Sequence, residues 1–269
     1  MPFVTVGNGA RIHYQRAGGG PPLLLIMGTG LDHSVWDPQV QAYRDRFECV
    51  RFDNRGTGRT TAPSGPFAVA DLAEDTAGLM DALGLPAAHV SGLSLGSCVA
   101  QELALRHPHK VISLQLHGTW ARAEGYAERK FKAQISLLER LDVATFYEIN
   151  VLWLLTPEYM RRHPQRVREQ LQAIVRANPS RENLVRQYRA DLEHDTLDRL
   201  KTIRAPTLVT VGSFDAATPP VYARQVAEEI PGAELVVFEG GGHLHNMENP
   251  DQFNAATLEF LSRRATPQS

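Results

Sequence analysis

The sequence predicts an α/β protein: a mainly parallel eight-stranded sheet with helices on both faces and a helical cap inserted late in the chain. Three observations predict it. Apolar, strand-like runs recur along the chain, and helical patterns separate most of them. That alternation then stops between about residues 120 and 200 and resumes at Pro206. With 269 residues there is room for one or two domains around a sizeable core. The expected division is a sheet domain of residues 1–119 and 201–269, with residues 120–200 as the cap.

The elements follow in order. Residues 4–6 and 11–14 flank Asn8 and Gly9, a dipeptide suited to the positive-φ positions of a tight hairpin. Residues 23–27 form a continuous apolar run ended by Gly28-Thr29-Gly30, as expected for a strand covered on both faces. Further strands are expected at 49–52, 89–91, 111–116, 207–211 and 235–238. Val69, Leu72, Ala73, Leu79, Met80 and Leu83 keep helical spacing before Gly84 and Pro86 close the segment. A second helix over 95–106 places Leu95, Val99, Leu103 and Arg106 on one face. Within the cap, amphipathic helices are expected near 126–141, 164–177 and 181–200, and residues 265–269 read as a loose tail.

Composition narrows the function. Twenty-eight basic against thirty acidic side chains leave a net charge of −2, which argues against nucleic acid or an anionic membrane as partner. A small-molecule substrate is expected instead. Two cysteines, Cys49 and Cys98, cannot build a disulfide framework and suggest a reducing compartment. The first nine residues carry no cationic, apolar leader, and no apolar run approaches the roughly 18 residues of a membrane span. A cytoplasmic location is expected.

Residues 89–97 carry the chemistry. Here a strand runs through Gly92-Leu93-Ser94-Leu95-Gly96 into a helix, the context that gives the G-x-S-x-G pattern its meaning. A serine on so sharp a turn stands above the sheet, and side chains at 92 or 96 would crowd it. A hydroxyl is a weak nucleophile at neutral pH and needs a base that a third group orients. Asp215 follows one strand and His243 follows the last, so the order is Ser94, Asp215, His243, each at a strand's carboxyl end. His243 is the expected base and His245 its nearest rival. The two histidines lack a third ligand nearby, so no metal is expected. The developing oxyanion needs two N–H donors, expected from Leu95 at the helix start and from Thr29 in the glycine loop. Met27, Leu31, His33, Trp120, Trp153 and Leu244 flank these loops or lie in the cap, and are candidate pocket walls.

Together these residues resemble the α/β-hydrolase family, and the resemblance covers nearly the whole chain. Besides residues 92–96, residues 52–60 are similar to the family's D-x-R-G-x-G-x-S turn, residues 212–219 to its acid loop, and residues 241–250 to its histidine loop. Met27-Gly28 stands where His-Gly is usual, which leaves the bracing of the oxyanion loop open, and Thr60 stands where serine is usual. The chain looks closest to capped serine hydrolases such as 3-oxoadipate enol-lactonases, aminoacrylate hydrolases and methylesterases of antibiotic biosynthesis. The resemblance implies cleavage of a carboxylic ester or lactone through an acyl-enzyme, with no cofactor. The same residues could also serve C–C bond hydrolysis or cofactor-free perhydrolysis, and a non-catalytic ligand receptor is the remaining alternative.

Overall fold

A computed structural model describes residues 2–7, 9–177 and 180–265. The chain opens with β1 (Phe3–Thr5) and β2 (Arg11–Ala17), which pair antiparallel, then β3 (Pro22–Ile26), α1 (Asp37–Tyr43), β4 (Glu48–Phe52) and α2 (Val69–Ala82). Next come β5 (Ala88–Leu93), α3 (Leu95–Arg106) and β6 (Val111–His117). Five helices follow without a strand: α4 (Tyr126–Arg140), α5 (Val143–Leu154), α6 (Pro157–Arg162), α7 (Pro164–Arg176) and α8 (Arg181–Glu193). The sheet is then completed by β7 (Thr207–Gly212), α9 (Pro220–Glu229), β8 (Glu234–Phe238), α10 (His245–Glu248) and α11 (Pro250–Ala265).

The eight strands lie in the order β1-β2-β4-β3-β5-β6-β7-β8, parallel from β4 onward. The departures from simple sequence order arise at β3, which sits between β4 and β5 and ends under the site. Helices α1 and α11 pack together on one face, while α2, α3 and α9 cover the other. Strands β5 and β7 are buried along their whole length. Parallel strands between two helical layers have no solvent face, and the polar side chains these two carry, such as His89, Ser91 and Thr210, find buried partners in Ser113 and His117.

The hairpin expected around Asn8 closes with the Gly9 N–H donating to Val6 O at 2.8 Å and Gly9 at φ 84°; Asn8 itself lies outside the described residues. Helix α11 runs through Ala265, and the rest of the expected tail, 266–269, lies outside them too.

Between β6 and β7 the expected helices match α4 and α7, but the third is shorter than expected. Helix α8 ends at Glu193, where the chain turns so that Asp195 bridges to Arg122 and the Thr196 N–H donates to Ala121 O at 2.8 Å. Helices α5 and α6 carry no clear signal in the sequence. Helix α5 is apolar nearly all round, so no stripe separates a buried from a wet face. Phe131, Phe146, Tyr147, Leu184 and Tyr188 from this region belong to the same buried cluster as the sheet.

His194 and His245 are fully buried, and burial pushes both imidazoles down to about 4. They stay neutral in the folded chain, whereas unfolding frees them to titrate near 6.5. The stability they supply is complete above pH 6.5 and is lost as pH falls toward 4. Each should cost about 2 kcal/mol of folding free energy between pH 7 and pH 5. Urea unfolding at the two pH values tests this. In His194→Gln the drop should shrink by about 2 kcal/mol, and an unchanged drop would refute the account.

Candidate active site

Ser94 occupies the turn between β5 and α3 with φ 57° and ψ −125°, the one positive φ outside glycine among the described residues. Of residues 88–104 it alone is not buried. The strain is held by packing and hydrogen bonds: the Ser94 N–H donates to His117 O at 2.9 Å, and Ser97 Oγ donates to Ser94 O at 2.6 Å. The flanking glycines are steric necessities. A Cβ at Gly92 would lie 2.1 Å from Gly96 O, and one at Gly96 would lie 2.1 Å from Ile26 O.

Asp215 follows β7 and is 3% exposed. Its Oδ1 accepts from the Ala217 and Thr218 N–H groups, each at 2.8 Å, and its Oδ2 lies 2.8 Å from His243 Nδ1. Burial alone would push this carboxyl up. The adjoining His243 ring and the Thr218 N–H outweigh burial and hold it below its ordinary value. His243 and Ser94 line the same small cavity, but they are not hydrogen-bonded to each other. Such contacts often tighten only when substrate binds.

His245 does not share this cavity. Its Nε2 is 2.8 Å from Thr210 Oγ1, its Nδ1 is 3.1 Å from His243 O, and its ring stacks on Phe238. Thr210 Oγ1 also lies 2.7 Å from His117 Nδ1, and His117 Nε2 lies 2.9 Å from Ser91 Oγ. A buried polar chain therefore crosses β5, β6 and β7 to the backbone of His243.

The Thr29 and Leu95 N–H groups have no hydrogen-bond partner among the described residues, and both residues adjoin Ser94. Leu95 opens α3, where first-turn N–H groups are free. The loop that carries Thr29 is clamped without an imidazole at position 27. Asn54 Nδ2 donates to Met27 O at 2.6 Å, Thr29 Oγ1 donates to Asp191 Oδ2 at 2.6 Å, and the Gly30 N–H donates to Gln187 Oε1 at 2.8 Å. Tyr147 completes the clamp with an O–H donated to Gly30 O at 2.9 Å. Thr60 presents a hydroxyl as a serine would, its Oγ1 accepting from the His13 N–H at 2.9 Å.

Met27, Leu31 and Leu244 line the Ser94 cavity, but three other expected wall residues do not. Trp120 is fully buried against Phe131 and His194. Trp153 is half-buried on α5, whose Tyr147, Val151 and Leu154 line cavities instead. His33 is drawn away by Asp53, with Nδ1 2.6 Å from Oδ1. His13, His33 and Asp53 are the one grouping with metal-ligand spacing among the described residues, all ligand atoms lying within 4.8 Å. Asp53 already accepts from both imidazoles and from the His33 and Arg59 N–H groups, so its lone pairs are occupied by protein donors.

Lys130, Gln134, Asn150 and Asp191 also line the Ser94 cavity, and sequence reasoning missed them. A signal existed. Lys130 and Gln134 sit in the buried stripe of α4 with Ala127, Phe131 and Leu138, and Asp191 sits in that of α8. Polar residues at stripe positions are the mark of a lined cavity. A larger cavity of about 300 Å³ adjoins the first through Leu31, Leu154 and Leu244, with apolar side chains of α5 and α7 forming part of its wall.

A serine on a strained strand-to-helix turn over a mostly parallel, two-faced α/β sheet defines a class of hydrolases. Residues 21–250 match the α/β-hydrolase fold family, and the chain belongs to it. It is 32% identical over 260 residues to the protein named as a carbamate hydrolase, RutD, in Azorhizobium caulinodans, which covers 97% of this chain and 98% of that one. A RutD of the same name in Caulobacter sp. is 34% identical over 258 residues, covering 94% and 96%. The crystal structure of an enol-lactonase from Burkholderia xenovorans superposes with a TM-score of 0.90 at 28% identity, over 97% of this chain and all of the other. This protein is a hydrolase. No helix among the described residues is long and apolar enough to cross a membrane.

Proposed function

We propose that the protein is a serine hydrolase that cleaves a carboxylic ester or lactone of a small to medium-sized cytoplasmic substrate, with residues 120–200 as its cap. The observation that carries the reading is the placement of Ser94 at positive φ on the lip of a cavity it shares with His243, whose Nδ1 is held by Asp215. Ser94 Oγ attacks the carbonyl carbon and its proton passes to His243 Nε2. The Thr29 and Leu95 N–H groups stabilise the tetrahedral oxyanion. Collapse breaks the C–O bond, and His243 returns the proton to the leaving oxygen. Water then attacks the acyl-enzyme, again giving a proton to His243, which passes it to Ser94 Oγ as the acyl C–O bond breaks and the acid leaves. Asp215 keeps the Nδ1–H tautomer, leaving Nε2 free as base. The named activities of the relatives, carbamate hydrolysis and enol-lactone opening, support acyl-bond chemistry. The adjoining apolar cavity of about 300 Å³ favours a medium-sized substrate.

The test is stoichiometric labelling by a fluorophosphonate probe, mapped to Ser94, with turnover measured on a panel of esters and lactones. Asp215→Asn should lower kcat about ten-thousandfold on the best of these, because the imidazole is left in the wrong tautomer. Circular dichroism should report an intact fold. Failure of the native protein to label, or an unchanged kcat in the variant, would defeat the assignment.

A further inference from the structure

The peptide unit between His243 and Leu244 is held at both ends. Its N–H, on Leu244, donates to Leu154 O of α5 at 3.0 Å. Its C=O, on His243, has no backbone partner among the described residues and accepts instead from His245 Nδ1 at 3.1 Å. Gly240, Gly241 and Gly242 lead into this unit, so local stiffness does not fix it. A carbonyl oxygen only accepts, so His245 carries its proton on Nδ1 and leaves Nε2 bare. Thr210 Oγ1 must then donate to His245 Nε2, and its lone pairs accept from His117 Nδ1–H. His117 Nε2 is bare in turn and accepts from Ser91 Oγ. One donor order therefore satisfies every member of the chain with both rings neutral. His117, Thr210 and His245 are fully buried, and His245 lies between the rings of Phe238 and Phe253. Burial pushes the His117 imidazole well below its ordinary value and that of His245 down to about 4, outweighing the nearby Asp215 carboxylate.

We propose that His117, Thr210 and His245 are positioning residues that set the His243 ring against the Ser94 hydroxyl. This role rests on Ser94 being the nucleophile and His243 its base. The same chain is tied to both. His117 O accepts the Ser94 N–H at 2.9 Å, while the His117 ring begins the path that ends on His243 O. His117 and Thr210 are register partners on β6 and β7, so their side chains share the face that α11 covers. None of the three lines the Ser94 cavity or the larger one, so none touches substrate there. Their effect reaches the reaction through the His243 peptide, whose orientation decides where the ring's Nε2 stands. Asp215 and Thr218 meet that ring at Nδ1 alone, an edge about which it can still tilt. A misplacement of about 1 Å at a reacting atom costs roughly a hundredfold in rate.

Thr210→Val keeps the shape of the side chain and removes both of its bonds in the chain. It should lower kcat about tenfold or more on the best ester or lactone, while KM stays within about twofold. Thr210→Ser restores the hydroxyl and should bring kcat back to within about threefold of native. Thr257→Val is the comparison. Thr257 is equally buried, and its hydroxyl shares hydrogen bonds with Phe253 O and Tyr43, outside the chain. That variant should lose melting temperature as Thr210→Val does and keep native kcat. Nitrogen-15 NMR of the native protein at neutral pH should show His117 and His245 as neutral Nδ1–H imidazoles. Native kcat in Thr210→Val, an equal loss in Thr257→Val, no recovery in Thr210→Ser, or an Nε2–H form at either ring would overturn the proposal. If Thr210→Val does not fold, His245→Phe removes the bond to His243 O, keeps a ring against Phe238, and should show the same fall in kcat. Fluorophosphonate labelling separates the two failures. A native protein that does not label at Ser94 defeats the nucleophile assignment itself, whereas a labelled, active protein that loses nothing in Thr210→Val defeats the positioning role alone.

Discussion

Replacing Ser94 with alanine is expected to lower kcat about a millionfold on any substrate the native protein accepts. The expectation follows from position. Ser94 supplies the one hydroxyl on the strained turn, Ser97 Oγ being committed to Ser94 O and Thr119. Alanine keeps the Cβ and the same backbone strain, so the melting temperature should move little and the loss should fall on turnover. Residual activity should come only from the oxyanion donors and substrate binding, which remain. Steady-state and single-turnover kinetics on one ester decide the matter. A variant retaining more than about a hundredth of native kcat would show that another group attacks, because covalent catalysis has no graded substitute for its nucleophile.

The second large effect is on stability. Gly96→Ala would place a Cβ 2.1 Å from Ile26 O and 2.6 Å from Ile26 C, both backbone atoms of the central strand β3. Neither can move without parting α3 from the sheet. The clash should cost at least about 3 kcal/mol, a fall of about 10 °C in melting temperature for a chain of this size. Gly19→Ala is the control, since nothing lies within 4 Å of a Cβ there, and it should stay within about 0.5 kcal/mol of the native protein. A Gly96 variant that melts within 3 °C of wild type would mean that the turn between β5 and α3 yields more than its packing implies.

The sheet was legible because its strands are short runs rich in apolar or β-branched residues bounded by turn residues, with Asn8-Gly9 marking the first hairpin. The positions of Ser94, Asp215 and His243 at strand ends were legible for the same reason: strand boundaries carry glycines and polar residues. The inserted helices were half legible. Amphipathic α4 and α7 carry stripes, whereas α5 has apolar residues on its exposed face too, such as Leu152, and shows none. Pocket walls were the least legible. Closeness in sequence suggested His33, Trp120 and Trp153, but Asp53, Phe131 and the turn of α5 direct those side chains elsewhere. Lys130 and Asp191 were visible only as charges in amphipathic helices; that they breach the apolar stripe becomes informative once the stripe's neighbour is known.

The clamp on residues 29–30 has a consequence for how such a protein can change. Tyr147, Gln187 and Asp191 come from α5 and α8, yet each ends on residues 29–30. Gln187 reaches further, its Nε2 donating to Arg55 O and Thr57 Oγ1. The helices that shape the chamber thus also fix the loop whose Thr29 amide we propose as an oxyanion donor. Transplanting them from a relative with another appetite would retune the rate along with the choice of substrate. New specificity in this lineage should therefore be sought in single side chains facing the chamber, with the three anchors left in place.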